Sequence, residues 1–542
     1  MTSRPASATS VVDACQRALG LALRRETEAA FDLLDTTIAA ADTAADTVRH
    51  LTESIFLVAR WTGDYRRGVE ILRRMLERAD DPTTRGWITV RMAILAGAAE
   101  DTELTAAALG DFTIAGDDAG QAMSMLTMAF PKSDLLPSAA FRLELVDAAR
   151  AVGERLADPV IVARADGAQA ALLTYEGDND AADAAYRRVW EPFRVGSPLL
   201  SSEVANVVLN HSLALLSWGR LREVDEVWDR TRHIVTGPRN RDWHALIRAT
   251  AMIHLGQYRA ARDVVAPLTN ASEEVAAFGT VLNVAAGLEL SATAPDLDLA
   301  AESELLEGRS MQLGAMARST QAALRAVRGE PRPHRDLGPT LRRLAASRPR
   351  FGWDCIAVTL AELAPGEADE VLTDMWDFWP AGPRPAVQRL FTETLIGRND
   401  PYPSFVEVAD RFEANGEFHS AARAMAHASR VAPSGGESLV AHRRALDLYR
   451  LTDAERSMAN LLRDRRIRRE PGSPTIPESQ RHAVNAGLTT RERQVTELAA
   501  EGLTGREIAL NLGISQGTVR NHLQHAREKL GGLSKRDFTR FK

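Results

Sequence analysis

From about residue 10 to residue 460, apolar residues recur at three- and four-residue spacing. Runs such as TVRHLTESIFLVARW (47–61) and VARADGAQAALLTYE (162–176) show the pattern. That period predicts helices with one buried stripe. Strand-like alternation between turn signals is scarce, so this region reads as all-α. The longest apolar run, VAAFGTVLNVAAGL from Val275 to Leu288, has 14 residues between Glu274 and Glu289. A bilayer span needs about 20, so the run predicts a buried helix and no membrane partner. The apolar piece ALGLAL after Arg17 is short and precedes Arg24 and Arg25, which does not fit a signal-peptide core.

One local pattern repeats inside the helical region. A glycine follows an apolar helix, and a bulky apolar residue two positions later opens the next. It occurs as GDYRRGVEIL at Gly63, GRLREVDEVW at Gly219, GQYRAARDVV at Gly256 and GEFHSAARAM at Gly416. GDNDAADAAY at Gly177 is a weaker copy with Asn179 in the bulky slot. Glycine permits a left-handed helix end, the bulky residue packs on the previous helix, and the small alanines permit close approach. The intervals are irregular, 42 residues from Gly177 to Gly219 and 37 from Gly219 to Gly256. The pattern resembles tetratricopeptide repeats, whose period is about 34. Stacked pairs of this kind bury one another's apolar faces and leave a curved surface open to a ligand or partner.

The helical pattern stops near RDRRIRREPGSPTIPESQ (463–480). Five arginines lie between Arg463 and Arg469, and Pro471, Gly472, Pro474 and Pro477 then forbid a regular helix. Beyond this linker the start and stop signals sharpen. Thr489 and Glu492 fit a capping box, as do Thr504 and Glu507. The helices they open carry Val495 and Leu498, then Ile508, Ala509 and Leu512, on their apolar sides. Gly502 and Gly513 end them, Ile514 plugs the turn, and Ser515 caps a third helix reaching about Leu530. Gly531 and Gly532 end that helix, and Ser534 caps a short fourth. On the third helix Val519, Leu523, Ala526 and Leu530 form one inward stripe, with Gly517, Arg520, Asn521, Gln524 and Glu528 opposite. Arginine can clasp guanine, and asparagine or glutamine can clasp adenine, each through two hydrogen bonds. The N-terminal part of such a helix is the part that enters a major groove. Thr518 and the free N–H groups at the helix start are suited to hold phosphate.

Charge sharpens this division. Residues 455–542 hold 17 Lys and Arg against 10 Asp and Glu, a surplus of seven positive charges. The whole chain has a formal charge of −7, so residues 1–454 carry −14. A basic tail on an acidic body points to an anionic partner for the tail, with nucleic acid foremost. At 542 residues the chain is too long for one core and fits a long repeat array plus a small module. Its 45% hydrophobic and 26% charged residues are ordinary for a folded soluble protein. Only Cys15 and Cys355 occur, in no CxxC pair, which argues against a disulfide framework or cysteine zinc site and fits a reducing cytoplasm.

The segment LTTRERQVTELAAEGLTGREIALNLGISQGTVRNHLQHAREKLG (488–531) resembles the LuxR-type helix-turn-helix of bacterial transcription regulators. It meets L-T-x-R-E-x-x-V, then E-G-x-[ST]-x-x-E-I-A, then L-x-I-S-x-x-T-V-x-x-H-L, then K-L-G. The resemblance implies that Arg520, Asn521 and Gln524 face bases, and that Thr504, Thr518 and His522 lie near or support backbone contacts. Gln516 joins them as an implied DNA-binding residue, within a helix-turn-helix spanning about 506–525. Two departures stand out. Gly517 occupies a slot that is often polar or basic in relatives, and the chain after Ser534 is short for a dimer-forming fourth helix. The body together with this module resembles the C-terminal parts of the large ATP-binding LuxR regulators, without their NTPase domain.

Other chemistry is not encoded. None of the four lysines follows a glycine, so there is no P-loop. There is no HExxH, GxSxG or dinucleotide glycine motif, and no strand–helix alternation for a receiver or α/β ligand domain. The acidic EGDND (Glu176–Asp180) lacks the later glycine and glutamate of a calcium loop. The cluster MWDFWP, with Trp376, Phe378 and Trp379, is read as helix packing with an aromatic pocket as the alternative. The expected architecture is an all-α tetratricopeptide-like α-solenoid (1–462), a basic, proline-containing linker (463–484) and a four-helix LuxR-type module (485–542). The expected protein is a non-enzymatic, cofactor-free cytoplasmic DNA-binding regulator. Its partners are double-stranded DNA and an unidentified effector ligand or protein on the repeats, with RNA polymerase as a further candidate. The competing reading is a helical-repeat scaffold for proteins or peptides with weak or vestigial DNA binding.

Overall fold

The computed structural model describes residues 8–41, 44–96, 101–130, 138–193, 196–235, 237–291, 297–346, 354–373, 375–376, 379, 382–464, 488–500 and 503–529. Among these residues the protein is all-helical, with no β-strand. Twenty-five α-helices run from Ala8–Leu23 to Glu455–Arg463, and three more lie near the C-terminus. The linker prolines, the arginines 465–469, Gly502, Leu530, the two glycines after it and the helix expected from Ser534 lie outside the described residues, as does Phe378.

Local signals explain the helix ends. Asp64, Asp81, Asp158 and Asp178 each accept a backbone N–H in the first turn of the helix they precede, the ordinary work of a side-chain cap. Gly63, Gly177, Gly219, Gly256 and Gly416 all have φ between +77° and +88°, so each is a left-handed helix end. Leu221 and Tyr258, the bulky residues after two of these glycines, are buried. The apolar run 275–288 lies within the helix Glu273–Leu290 and contributes Val275, Phe278, Val281 and Leu282 to the core.

Nearly every helix of the body packs on the next, and the odd-numbered ones also pack on one another from the first to the twenty-first. They make one continuous inner layer. Long-range contacts then join distant helices. The third helix (Ala45–Thr62) meets the thirteenth (Pro238–His254), the eleventh (Pro198–Trp218) meets the twenty-first (Pro383–Leu395), and the fifteenth (Glu273–Leu290) meets the twenty-fifth. Each of these partners lies ten helices further on, and the third helix also meets the eleventh. These contacts are seams that join helices far apart in the chain.

Charge and glycine mark the seams. Arg60 donates to the buried Glu203 (2.6 Å), and Arg25 clasps Asp242 through both nitrogens (2.8 and 2.6 Å). Arg384 donates to Glu417 (3.1 Å) and also meets His254. Four of the five pattern glycines meet residues that are distant in the chain. A Cβ on Gly219 would stand 2.9 Å from Cβ of Arg384, and one on Gly256 would stand 2.6 Å from Thr452. Gly63 faces Arg239, and Gly416 faces Arg222.

The helix Pro198–Trp218 is long and apolar enough, by length and composition, to cross a membrane. Here it belongs to the inner layer and carries the buried Glu203 and His211. The two described tryptophans of the cluster pack against each other. Trp376 stacks on Trp379 at 5.2 Å between centroids, and the guanidiniums of Arg389 and Arg398 lie over its ring.

Gly219→Ala should lower stability by about 1–3 kcal/mol from the left-handed backbone alone, plus the clash with Arg384. Gly116→Ala is the control, because Gly116 has φ +67° and nothing within 4 Å of the place its methyl group would take. Thermal melts should show the larger loss for Gly219→Ala; equal losses would remove the seam contact from the explanation.

Candidate nucleic-acid interface

Three helices form the described part of the C-terminal module: Thr490–Ala500, Gly505–Leu512 and Gln516–Lys529. Both capping boxes form. The Thr489 N–H donates to Glu492 (2.7 Å), and the Glu492 N–H returns to Thr489 Oγ1 (3.2 Å). Thr504 and Glu507 repeat the exchange at 2.6 and 3.3 Å. Gly513, with φ +64°, makes the turn. Ser515 Oγ accepts the N–H of Thr518 (3.0 Å) and opens the third helix. Val495, Ala499, Leu503, Ile508, Ala509 and Val519 are the module's core, with Leu498, Leu512, Ile514 and Leu523 packed against it.

The core fixes what remains outside. Gln516, Gly517, Arg520, Asn521 and Gln524 are exposed along the third helix. The side chains of Arg520 and Asn521 have no hydrogen-bond partner among the described residues. Gln524 Nε2 donates to Glu528 (3.1 Å), an exposed bond that a base edge can replace. Thr518 is half-buried and shares a hydrogen bond with Ser515 (2.8 Å). His522 is half-buried on the flank of the helix. Thr504 is exposed at the N-terminus of the preceding helix, where unpaired N–H groups and the helix dipole favour an anion. All seven expected residues thus lie on these two helices, with Thr504 on the first and the other six on the second. A Cβ on Gly517 would have only Ser515 Oγ nearby, at 3.6 Å, so space does not force glycine there.

Sequence reading missed the second partner of each capping glutamate. Lys529 Nζ reaches both oxygens of Glu492 (2.7 and 3.0 Å), tying the end of the third helix to the start of the first. This hydrogen bond, with that of Thr489, lowers the Glu492 pKa from 4.5 to about 2. Glu507 is buried, which by itself raises its pKa, but the Arg450 hydrogen bond and charge together with the Thr504 hydrogen bonds outweigh burial and hold it below the ordinary value. Arg450 belongs to the body, 57 residues away, and no local pattern announces that pairing.

Because Glu492 titrates lower in the folded chain, its contribution is complete above its ordinary pKa of 4.5 and fades as pH falls toward about 2. Lys529→Met should therefore lower the melting temperature at neutral pH, and the gap from the unaltered protein should narrow below about pH 4. A gap independent of pH would mean that the Lys529 stem, not its charge, supports the module.

The comparisons with known proteins converge on this module. The family described as "Bacterial regulatory proteins, luxR family" matches residues 486–541. The spore germination protein GerE of Bacillus subtilis is 54% identical over 44 residues, 8% of this chain and 60% of that protein. A helix-turn-helix-type transcriptional regulator of Aeromonas salmonicida is 56% identical over 43 residues, 8% of this chain and 22% of that protein. The transcriptional regulatory protein DesR of Bacillus subtilis is 37% identical over 83 residues, 15% of this chain and 41% of that protein. The chain thus spans between about a fifth and three-fifths of the length of these relatives. Residues 486–541 of this chain are a helix-turn-helix domain of the bacterial LuxR family.

Proposed function

We propose that this protein is a sequence-specific DNA-binding transcriptional regulator of the bacterial cytoplasm. Residues 1–462 are a tetratricopeptide-like α-solenoid that senses a ligand or protein partner. Residues 463–484 are a basic linker, and residues 485–542 bind promoter DNA. The observation that carries this reading is the exposed row of Arg520, Asn521 and Gln524 on a helix whose opposite side is locked into the module core. These side chains offer paired donors and acceptors that match base edges in the major groove. Thr504, Gln516, Thr518 and His522 flank them for backbone contacts, which set register without reading sequence. The basic C-terminal charge supports the same partner. RNA polymerase is a further candidate partner.

Two measurements test this. Genome-wide crosslinking of the full chain should recover discrete sites; diffuse signal would favour the scaffold reading, in which the body binds proteins and the module only grazes DNA. On a selected binding site, Arg520→Ala should relax preference at one base pair by about 1–3 kcal/mol. Thr518→Ala should weaken binding about equally across sequences. An unchanged preference profile for Arg520→Ala would remove that residue from base reading.

A further inference from the structure

The body grips the module by one helix. Arg506 Nη2 donates to Glu455 Oε1 (2.7 Å), and the same oxygen accepts Arg259 Nη2 (2.5 Å). Arg450 clasps Glu507 through two bonds, at 2.5 and 3.1 Å. Asn511 Nδ2 donates to the Leu462 carbonyl (3.1 Å), and Arg463 donates to the Leu510 carbonyl (3.2 Å). Apolar side chains are exchanged as well, with Leu462 packing on the module core and Leu510 on the body core. On the module side, Arg506, Glu507, Leu510 and Asn511 all lie on the helix Gly505–Leu512.

That helix is the first of the helix-turn-helix pair, the one that crosses the DNA backbone while the second enters the groove. Its N-terminal turn is where backbone N–H groups and basic side chains meet phosphate. Arg506 lies in that turn, two residues after the exposed Thr504. Its guanidinium is held by a carboxylate, the charge type that a phosphate would present. The reading residues Arg520 and Asn521 stay exposed, so the grip leaves base contacts open and engages a backbone contact.

We propose that the body withholds Arg506 from DNA phosphate, with Glu455 occupying the guanidinium until the module is released. The grip is coupled to the body interior. Arg259, which shares Glu455, also binds Asp453 through its side chain and its backbone N–H. Two residues beyond Glu455, Ser457 donates to Glu289 of the fifteenth helix (2.8 Å). A partner or ligand that shifts the last body helix against the fifteenth therefore alters the hold on Arg506. This inference rests on the DNA-binding reading above.

A phosphate contact is independent of sequence, so an arbitrary duplex of about 30 base pairs serves as the probe. Fluorescence anisotropy across a salt series is compared for the full-length protein, Glu455→Gln, Arg506→Gln and the double variant. Releasing Arg506 adds one phosphate contact, so Glu455→Gln should bind several-fold tighter at low salt. Its slope of log affinity against log salt should steepen by about 0.9. Arg506→Gln should abolish that gain in the double variant and change little alone. If Glu455→Gln misfolds by circular dichroism, Arg450→Gln removes the other ionic tie and should steepen the slope likewise. Identical slopes in all folded variants, or an equal loss from Arg506→Gln with and without Glu455, would overturn the proposal. Failure of every form to bind the duplex would instead overturn the DNA-binding reading.

Discussion

The long-range contacts of the body depend on glycines that end helices at points where residues distant in the chain arrive. At Gly219 the backbone is left-handed, with φ +84°, and a side chain there would collide with Arg384. The two demands coincide. A left-handed end turns the chain into the next helix at little cost only for glycine, and the missing Cβ opens the space that a residue ten helices away fills. Gly63 and Gly256 stand at similar junctions against Arg239 and Thr452, while a Cβ on Gly416 would make only ordinary contact with Arg222, 3.5 Å away. Local turning and long-range contact thus share the same positions.

Charges buried along the inner layer give those contacts their register. Glu203 is almost fully buried and is held below the ordinary carboxylate range; burial opposes this, but Arg60, Arg164 and Arg91 outweigh it. Elsewhere in the body the half-buried Glu362 is likewise lowered, to about 2, with Arg423 and His427 outweighing the cost of burial. Buried pairs add little net stability over a well-packed apolar contact, but removing one partner is costly. Their effect is therefore on alignment. A slip of one helical turn would strand charges such as Glu203 and Arg60 without partners, while apolar surfaces alone would tolerate it.

The module uses charge in another way. Each capping glutamate performs its local task and then takes a second, distant partner. Glu492 caps the first helix and receives Lys529, which fixes the angle of the third. Glu507 caps the second helix and receives Arg450, which fixes the module to the body. The capping rule places both carboxylates at helix starts, where the dipole favours them. A partner added at the same atoms converts a local signal into a tertiary one.

Residues near one another in sequence determined much of this protein. Periodicity gave the helices, capping residues gave their starts, and Gly63, Gly219 and Gly256 gave their ends, because each effect acts within one or two turns. The division of the third module helix into an inward stripe of Val519, Leu523 and Ala526 and an outward row of Arg520, Asn521 and Gln524 was legible for the same reason. The tertiary structure alone decided which helices meet ten positions apart and that Arg506 pairs with Glu455. Those pairings join residues 51 to 217 positions apart. No local pattern can encode them, since an arginine on a helix surface looks the same in sequence whether its carboxylate lies one turn away or across the whole body.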